Sequence, residues 1–395
     1  MKLNRTLRVF LILLVSALLL ASCSMRPADS EETKRPADTA DTDKPGDTVK
    51  PSVDPETQPV HVDDPGTPAN PSGDPVTEPE TTPAPVEVIE PSPYAPPPDA
   101  TADFSTDGIF IYGDAVYAQV YYSEANSNYY AQTALYYQMA FGCPVSIVIA
   151  PMSSMTIDNP TVKSKIPDQK QILDDMKALV DPSVRFVNTY DPILAHRVEY
   201  LYFRSDHHWT QRGAYYAYAA FAEAAGFTPT PLSSFEKTIR NPQYYGSWYS
   251  FTLDERVKNF VDEIEVYYPT KAHTMTVETP QGVTMTYSTS IIAENSTYVT
   301  FIAGDNPYTV IEVPDNPQDK ICLVMKDSYG NALVPFLCEH YGKIIVADPR
   351  YETGNLLERL KDVKLTDIIF VNSIENANAK IWSQLYMGCL GVTLP

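Results

Sequence analysis

Val145-Ser146-Ile147-Val148-Ile149-Ala150-Pro151 leaves a folding chain little choice. The run is apolar and β-branched without polar alternation, and a proline ends it, which is the profile of a strand buried on both faces of a parallel sheet. Such a strand needs helices above and below. The same profile recurs from Ile321 to Met325, Lys343 to Ala347 and Asp367 to Val371, with a shorter strand from Val184 to Asn188. Helices are expected between them. One runs within Tyr121 to Phe141, and a second within Gln169 to Val180, where Ile172, Met176 and Leu179 fall at helical spacing. Others are expected over Thr210–Ala225, near Ala332–Tyr341 and Asn355–Lys361, and from about Ala377 to Met387. The alternation predicts an α/β fold, a parallel sheet with flanking helices.

From about residue 228 to 320 the alternation gives way to short strands, at Val277–Glu278, Val283–Tyr287, Tyr298–Ile302 and Tyr308–Val313, with Asp305-Asn306-Pro307 as a turn. A β-rich insertion, or a layer packed on the sheet, is expected there. Near its start Tyr244-Tyr245-Gly246-Ser247-Trp248-Tyr249 clusters aromatics around a glycine, readable as ordinary packing or as a platform for sugar rings.

Two stretches carry candidate chemistry. Arg204-Ser205-Asp206-His207-His208-Trp209-Thr210 sets a carboxylate and two of only six histidines before a helix. About 120 residues later, Lys326-Asp327-Ser328-Tyr329-Gly330-Asn331 ends a buried strand at a polar turn, where a serine gains exposure. A serine hydroxyl needs an imidazole to take its proton, and the imidazole needs a carboxylate to fix its tautomer. Asp206, His208 and Ser328 would supply these parts, with Asp327 as an alternative orienter of His208. Ligands in open α/β sheets bind beyond the carboxyl ends of strands. Ser328, Asp348-Pro349-Arg350-Tyr351 and Asn372-Ser373 all follow such ends.

The N-terminus reads as an export signal. Lys2, Arg5 and Arg8 precede an apolar run from Val9 to Leu20, too short to span a bilayer comfortably, closed by Leu20-Ala21-Ser22-Cys23. That tetrad resembles a bacterial lipoprotein signal, which would make residues 1–23 a leader, Cys23 a lipid anchor, and the extracytoplasmic face of the membrane the protein's location. Residues 24–107 hold about half of the 35 prolines and carry 19 acidic against 5 basic residues. Such a tract cannot bury a core and reads as a disordered tether. Extended, it would reach on the order of 200 Å. It accounts for most of the formal charge of −21, and about −10 remains on residues 108–395 with no basic run, which argues against nucleic-acid binding.

Together, Ala150-Pro151, Ser205-Asp206-His207-His208-Trp209-Thr210, Tyr245-Gly246-Ser247, Lys326-Asp327-Ser328-Tyr329-Gly330-Asn331 and Asp348-Pro349-Arg350-Tyr351 resemble the bacterial family called after its Asp-His-His-Trp motif. More distantly the chain is similar to the SGNH-like proteins that O-acetylate alginate. The resemblance implies an SGNH-hydrolase-like domain over residues 108–395 whose Asp-x-His element precedes the serine, with Asp206 the aspartate, His208 the base and Ser328 the nucleophile. No Gly-Asp-Ser block surrounds Ser328. The default oxyanion donors are therefore backbone N–H groups at Ser328, while Arg350, Tyr351, Gly246 and Ser247 are candidates for substrate or oxyanion contact.

The activity so implied is an O-acetyltransferase acting on an extracellular polysaccharide, supplied by a membrane-bound O-acyltransferase partner. Alternatives are an esterase that removes acetyl groups and a non-catalytic, tethered glycan-binding protein. No cofactor is required. Asp206, His207 and His208 could also serve as metal ligands, but the further acidic motifs of metal-dependent phosphoesterases are missing. Cys143, Cys322, Cys338 and Cys389 fit neither a zinc ribbon nor a dense disulfide framework, and core thiols are the expectation.

Overall fold

The protein is described by a computed structural model over residues 91–92, 100–105, 108–292 and 294–394. The leader with Cys23 and most of the proline-rich tract lie outside the described residues. In chain order the strands are β1 (Ala102–Phe104), β2 (Ile109–Tyr112), β3 (Ala115–Ala118), β4 (Val145–Ala150), β5 (Arg185–Phe186), β6 (Glu236–Tyr244), β7 (Asp262–Tyr268), β8 (Thr274–Glu278), β9 (Thr284–Tyr287), β10 (Tyr308–Glu312), β11 (Ile321–Lys326), β12 (Lys343–Ala347) and β13 (Asp367–Ser373). The longer helices are α1 (Glu124–Phe141), α2 (Gln169–Ala178), α3 (Gln211–Ala224) and α4 (Lys380–Gly388).

The central sheet has eight strands in the order β5-β4-β13-β11-β12-β10-β8-β9. From β5 to β12 neighbours are parallel, and β10, β8 and β9 add on antiparallel. Burial explains the division. Every residue of β4 is buried, as is all but the first of β11 and of β13, so these strands lie between layers. In β8 and β10 buried and partly exposed residues alternate, as in strands with one face on the core.

The helices are positioned by their caps and buried faces. Ser123 caps α1 by accepting from the Asn126 amide, and Gly142 ends it in the left-handed region at φ 65°. Tyr130 and Tyr137, two turns apart, meet the Phe370 ring edge-on. Tyr130 and Tyr386 of α4 both donate to Asn372 Oδ1, at 2.6 and 2.7 Å. Two helices are thereby tied to the end of β13. At the start of α3, Thr210 accepts from the Gly213 amide. A Cβ on Gly213 would lie 2.3 Å from the Leu201 carbonyl oxygen, so only glycine lets α3 approach the segment leading into Asp206 and His208.

The region from 228 to 320 is β-rich as expected, but three of its strands extend the central sheet and only β6 and β7 form a separate ribbon. The strand expected over Tyr298–Ile302 is instead a 3₁₀ turn, Tyr298–Thr300, followed by Ile302 and Ala303 at φ 47° and 59°. Asn295 Oδ1 accepts from the amide and hydroxyl of Thr297, whose own hydroxyl accepts from the Val299 amide. These local bonds supply the backbone with partners that a ladder would otherwise provide. Near Ala332–Tyr341 the helix is split, because Pro335 removes an amide after the short helix Gly330–Leu333 and the chain continues as 3₁₀. The tract expected to be a tether to residue 107 is structured at its end, where β1 pairs with β2 and Phe104 stacks on Phe110 at 4.7 Å. Cys143, Cys322, Cys338 and Cys389 are buried free thiols.

The tight approach at Gly213 gives a stability prediction. Gly213→Ala should destabilise the protein by about 1–3 kcal/mol, because a methyl group has no space there. Urea unfolding of both proteins measures it, and an unchanged midpoint would show that α3 can shift freely.

Candidate active site

Asp206 and His208 sit on a loop between Tyr202 and Trp209, which form an isolated bridge. The fully buried carboxylate of Asp262, on β7, organises that loop. It accepts from Tyr200 Oη at 2.9 Å, the Arg204 amide at 3.0 Å, the Ser205 amide at 2.7 Å and Ser205 Oγ at 2.6 Å. Ser205 Oγ in turn accepts from the Gly246 amide at 3.0 Å. A second strap therefore lies across the loop. It lies very close, because a Cβ on Gly246 would be 2.2 Å from Asp206 Cβ.

The Asp206 carboxylate is then fully used. Oδ1 accepts from the His208 amide at 2.9 Å and from His208 Nδ1 at 2.6 Å, while Oδ2 accepts from Tyr244 Oη and the Ser247 amide, both at 2.9 Å. Burial alone would raise its pKa. The neighbouring imidazoles and the hydrogen bonds from His208 outweigh burial and hold the carboxyl well below the usual carboxylate range.

Ser328 arrives from the other side of the sheet's carboxyl edge. The buried Asp327 fixes its turn by accepting from the Tyr329 amide at 2.9 Å, the Ser373 amide at 2.8 Å and Asn376 Nδ2 at 2.7 Å. Gly330 lets the chain fold back, since a Cβ there would meet Lys326 Cβ at 2.6 Å. Ser328 Oγ consequently stands 2.7 Å from His208 Nε2. Among the described residues the Ser328 N–H has no hydrogen-bond acceptor, whereas that of Tyr329 is spent on Asp327. Asp327 is thus a brace for the turn and does not orient His208.

Next to Ser328 in the chain lies a set of alternating charges, buried at Lys326 and Asp348 and partly exposed at Arg350. Lys326 Nζ meets Asp305 at 2.7 Å and Asp348 at 3.0 Å, and Arg350 Nη2 meets Asp348 at 2.6 Å and Asp305 at 2.8 Å. Burial opposes the charge on Lys326, yet the two carboxylates raise its pKa and keep it protonated. Arg350 keeps one amino group, Nη1, without a partner among the described residues, and its guanidinium lies 5.4 Å from the Tyr351 ring centroid.

The sequence-derived candidates therefore divide. Asp206, His208 and Ser328 converge. Arg350 and Tyr351 follow the end of β12, and Arg350 is joined through Asp305 and Asp348 to Lys326, two residues before Ser328. Gly246 and Ser247 cannot donate to an oxyanion through their amides, which are committed to Ser205 and Asp206. His207 bonds Ser247 Oγ through Nδ1 at 2.7 Å, and burial followed by the charge of His208 pushes its pKa down. Trp209 is buried and donates to the Tyr329 carbonyl. In the aromatic cluster Tyr244 and Trp248 are buried, while Tyr245 is exposed beside a pocket of 190 Å³ shared with Tyr249 and Lys258.

One donor atom each from Asp206, His207 and His208 lies within 4.8 Å of the others, close enough to gather a metal ion. Those groups are engaged otherwise. Both Asp206 oxygens, both His208 nitrogens and His207 Nδ1 have protein partners, which suits a proton relay better than a coordination sphere. Sequence reasoning missed Asp262, Asp305 and Tyr298, which stacks on His208. Asp305 carried a turn signal, and the others carried none.

With this geometry established, the likenesses to known proteins acquire meaning. The family model described as "DHHW protein" matches residues 85–347. A DHHW family protein from Eubacterium siraeum is 26% identical, the match covers 75% of this chain and 98% of that one, and the TM-score is 0.65. PatB1 from Bacillus cereus, solved with a sulfonyl adduct, is 16% identical over 72% of this chain and 98% of its own, with a TM-score of 0.58. The O-acetyltransferase domain of Pseudomonas putida AlgJ is a remoter likeness, 14% identical over 73% of this chain and 99% of its own, with a TM-score of 0.37. No curated protein matches the sequence significantly. The fold is α/β, a large mostly parallel sheet with flanking helices, and it is shared with the Eubacterium siraeum protein and with PatB1.

The depressed pKa of Asp206 fixes the sign of an acid effect. The unfolded chain, with an aspartate pKa of about 3.9, takes up this proton before the folded one does, so its share of stability is complete above that pH and lost as pH falls. The stability gap between parent and Asp206→Asn should therefore shrink from pH 6 to pH 3 in urea unfolding. A gap independent of pH would contradict the assignment of Asp206 as the stabilised anion.

Proposed function

The chain belongs to the DHHW protein family, and on that footing we propose that it is an extracytoplasmic acyl-ester enzyme, an O-acetyltransferase acting on a cell-surface polysaccharide. The observation that carries this reading is the continuous relay from Asp206 through His208 to Ser328, with contacts of 2.6 and 2.7 Å. His208 Nε2 accepts the Ser328 proton while Oγ attacks the acetyl carbonyl. The developing oxyanion meets the uncommitted Ser328 N–H. The imidazolium then returns its proton to the departing oxygen, leaving an acetyl ester on Ser328. An acceptor hydroxyl, deprotonated by the same His208, attacks that ester and releases the serine. Asp206 holds the imidazole in one tautomer throughout and stabilises its charged form.

Arg350 is proposed to meet the substrate through its uncommitted amino group. Water in place of the sugar hydroxyl turns the same cycle into ester hydrolysis, so the acceptor decides between transferase and esterase. The leader, with Cys23 as a lipid anchor, and the proline-rich tract would hold the domain at a distance from the membrane. Among the described residues no helix is long and apolar enough to cross a membrane. A membrane-bound O-acyltransferase is the proposed source of acetyl groups.

Cleavage of an aryl acetate, with intact mass to follow acetyl-Ser328, tests the chemistry. Ser328→Ala and His208→Ala should each lower the rate by roughly 10³-fold or more, because members of such a unit act together. An aryl sulfonyl fluoride should modify the parent once and Ser328→Ala not at all. Added oligosaccharides that take up acetyl in competition with water would identify a transferase. A folded parent that is inert to both probes, yet binds glycan equally well as Ser328→Ala, would replace the enzyme with a tethered binding protein.

A further inference from the structure

The hydrogen bonds of His208 act within the plane of its ring, and two other rings cover its faces. Tyr298 lies parallel to it at 3.9 Å between centroids and 8° between planes. His207 covers the opposite face at 3.8 Å and 37°, and Tyr329 is tilted against the ring at 5.1 Å. Tyr298 cannot easily drift. It is 6% exposed, wedged edge-on between Phe203 at 6.2 Å and Phe301 at 5.3 Å, and it opens the 3₁₀ turn set by Asn295 and Thr297.

We propose that Tyr298 is a positioning residue for the acyl chemistry, clamping His208 in the plane that serves both Asp206 and Ser328 and favouring the imidazolium through its π face. The inference rests on reading Ser328 and His208 as nucleophile and base. Rotation of the imidazole about its bond to Cβ would break both hydrogen bonds together, and a parallel ring in contact opposes that rotation. An aromatic face carries partial negative charge and attracts a cation lying over it. When the Ser328 proton reaches Nε2, positive charge therefore forms against a surface prepared for it. Asp206 stabilises the same charge in the ring plane, so the two act along perpendicular directions. The remaining titratable neighbours are His207, on the other face, and Tyr329. Asp305 and Arg350, which act on His207, carry opposite charges and are paired with each other.

Simple core packing would require only an apolar side chain of similar size, and substitution separates the two roles. The readouts are the His208 titration followed by ring-carbon NMR in the full chain, which needs no turnover, and the pH profile of aryl acetate cleavage. Tyr298→Phe keeps the π face and is the conservative replacement that should stay closest to the parent in both readouts. Tyr298→pentafluorophenylalanine keeps the shape but reverses the charge on the face, and should make the charged imidazole of His208 less favourable than in the parent. Cleavage should fall about five- to tenfold near neutral pH. Tyr298→Leu, where it folds, should shift the titration in the same direction. A folded pentafluorophenylalanine variant with the parent's titration and pH profile would overturn the proposal. A folded parent that cleaves no ester would instead remove the catalytic reading, while the NMR comparison of parent and variant still decides whether Tyr298 favours the imidazolium.

Discussion

One buried carboxylate that never approaches the serine determines whether the site exists. Asp262 gathers the Arg204 and Ser205 amides, the Ser205 hydroxyl and the Tyr200 hydroxyl, and so turns a polar loop into a fixed shelf for Asp206 and His208. A buried anion of this kind would be costly alone, and burial does push its pKa up. With each donor aimed at it, the cost is partly offset and the loop has few alternatives. Asp327 does the same on the facing side, bracing the turn of Ser328 against the end of β13. The relay is thus assembled by two acids outside it, each joining segments distant in sequence.

The paired charges of Lys326, Asp305, Asp348 and Arg350 are better understood as a register device than as a source of stability. Desolvating four charges can cost as much as their attraction returns, so a hydrophobic quartet could hold the strands equally well. Such a quartet would lack directional bonds. Each carboxylate bridges both cations, which fixes the ends of β11 and β12 and the turn at Asp305 relative to one another. Ser328 lies two residues beyond Lys326 and inherits that precision.

The parallel strands were legible in the sequence because burial on two faces leaves an unbroken apolar run, and Val145–Ala150 and Asp367–Val371 have no competing reading. The relay was legible because Asp206 and His208 lie within three residues and Ser328 ends such a run. Asp262 was not, since nothing local distinguishes it among 50 acidic residues, and its partners are recognisable only once the chain has closed. Tyr298 was hidden likewise among 27 tyrosines, inside a segment whose β propensity was overruled by hydrogen bonds from Asn295 and Thr297. The Gly246-Ser247 amides show the opposite failure, where a motif was visible but its use inside the scaffold was not.

The connection between β9 and β10 contains both Tyr298 and Asp305, so the antiparallel extension of the sheet delivers one side chain to the imidazole and another to the charges around Lys326. That placement limits how such a protein can diversify. This segment touches His208 and the charges around Lys326 at once, so substitutions within it are tied to compensating changes at His208 and Lys326. Lineages that retain the contacts among Asp206, His208 and Ser328 should inherit the segment as a block, and those that lose them should accumulate changes there together.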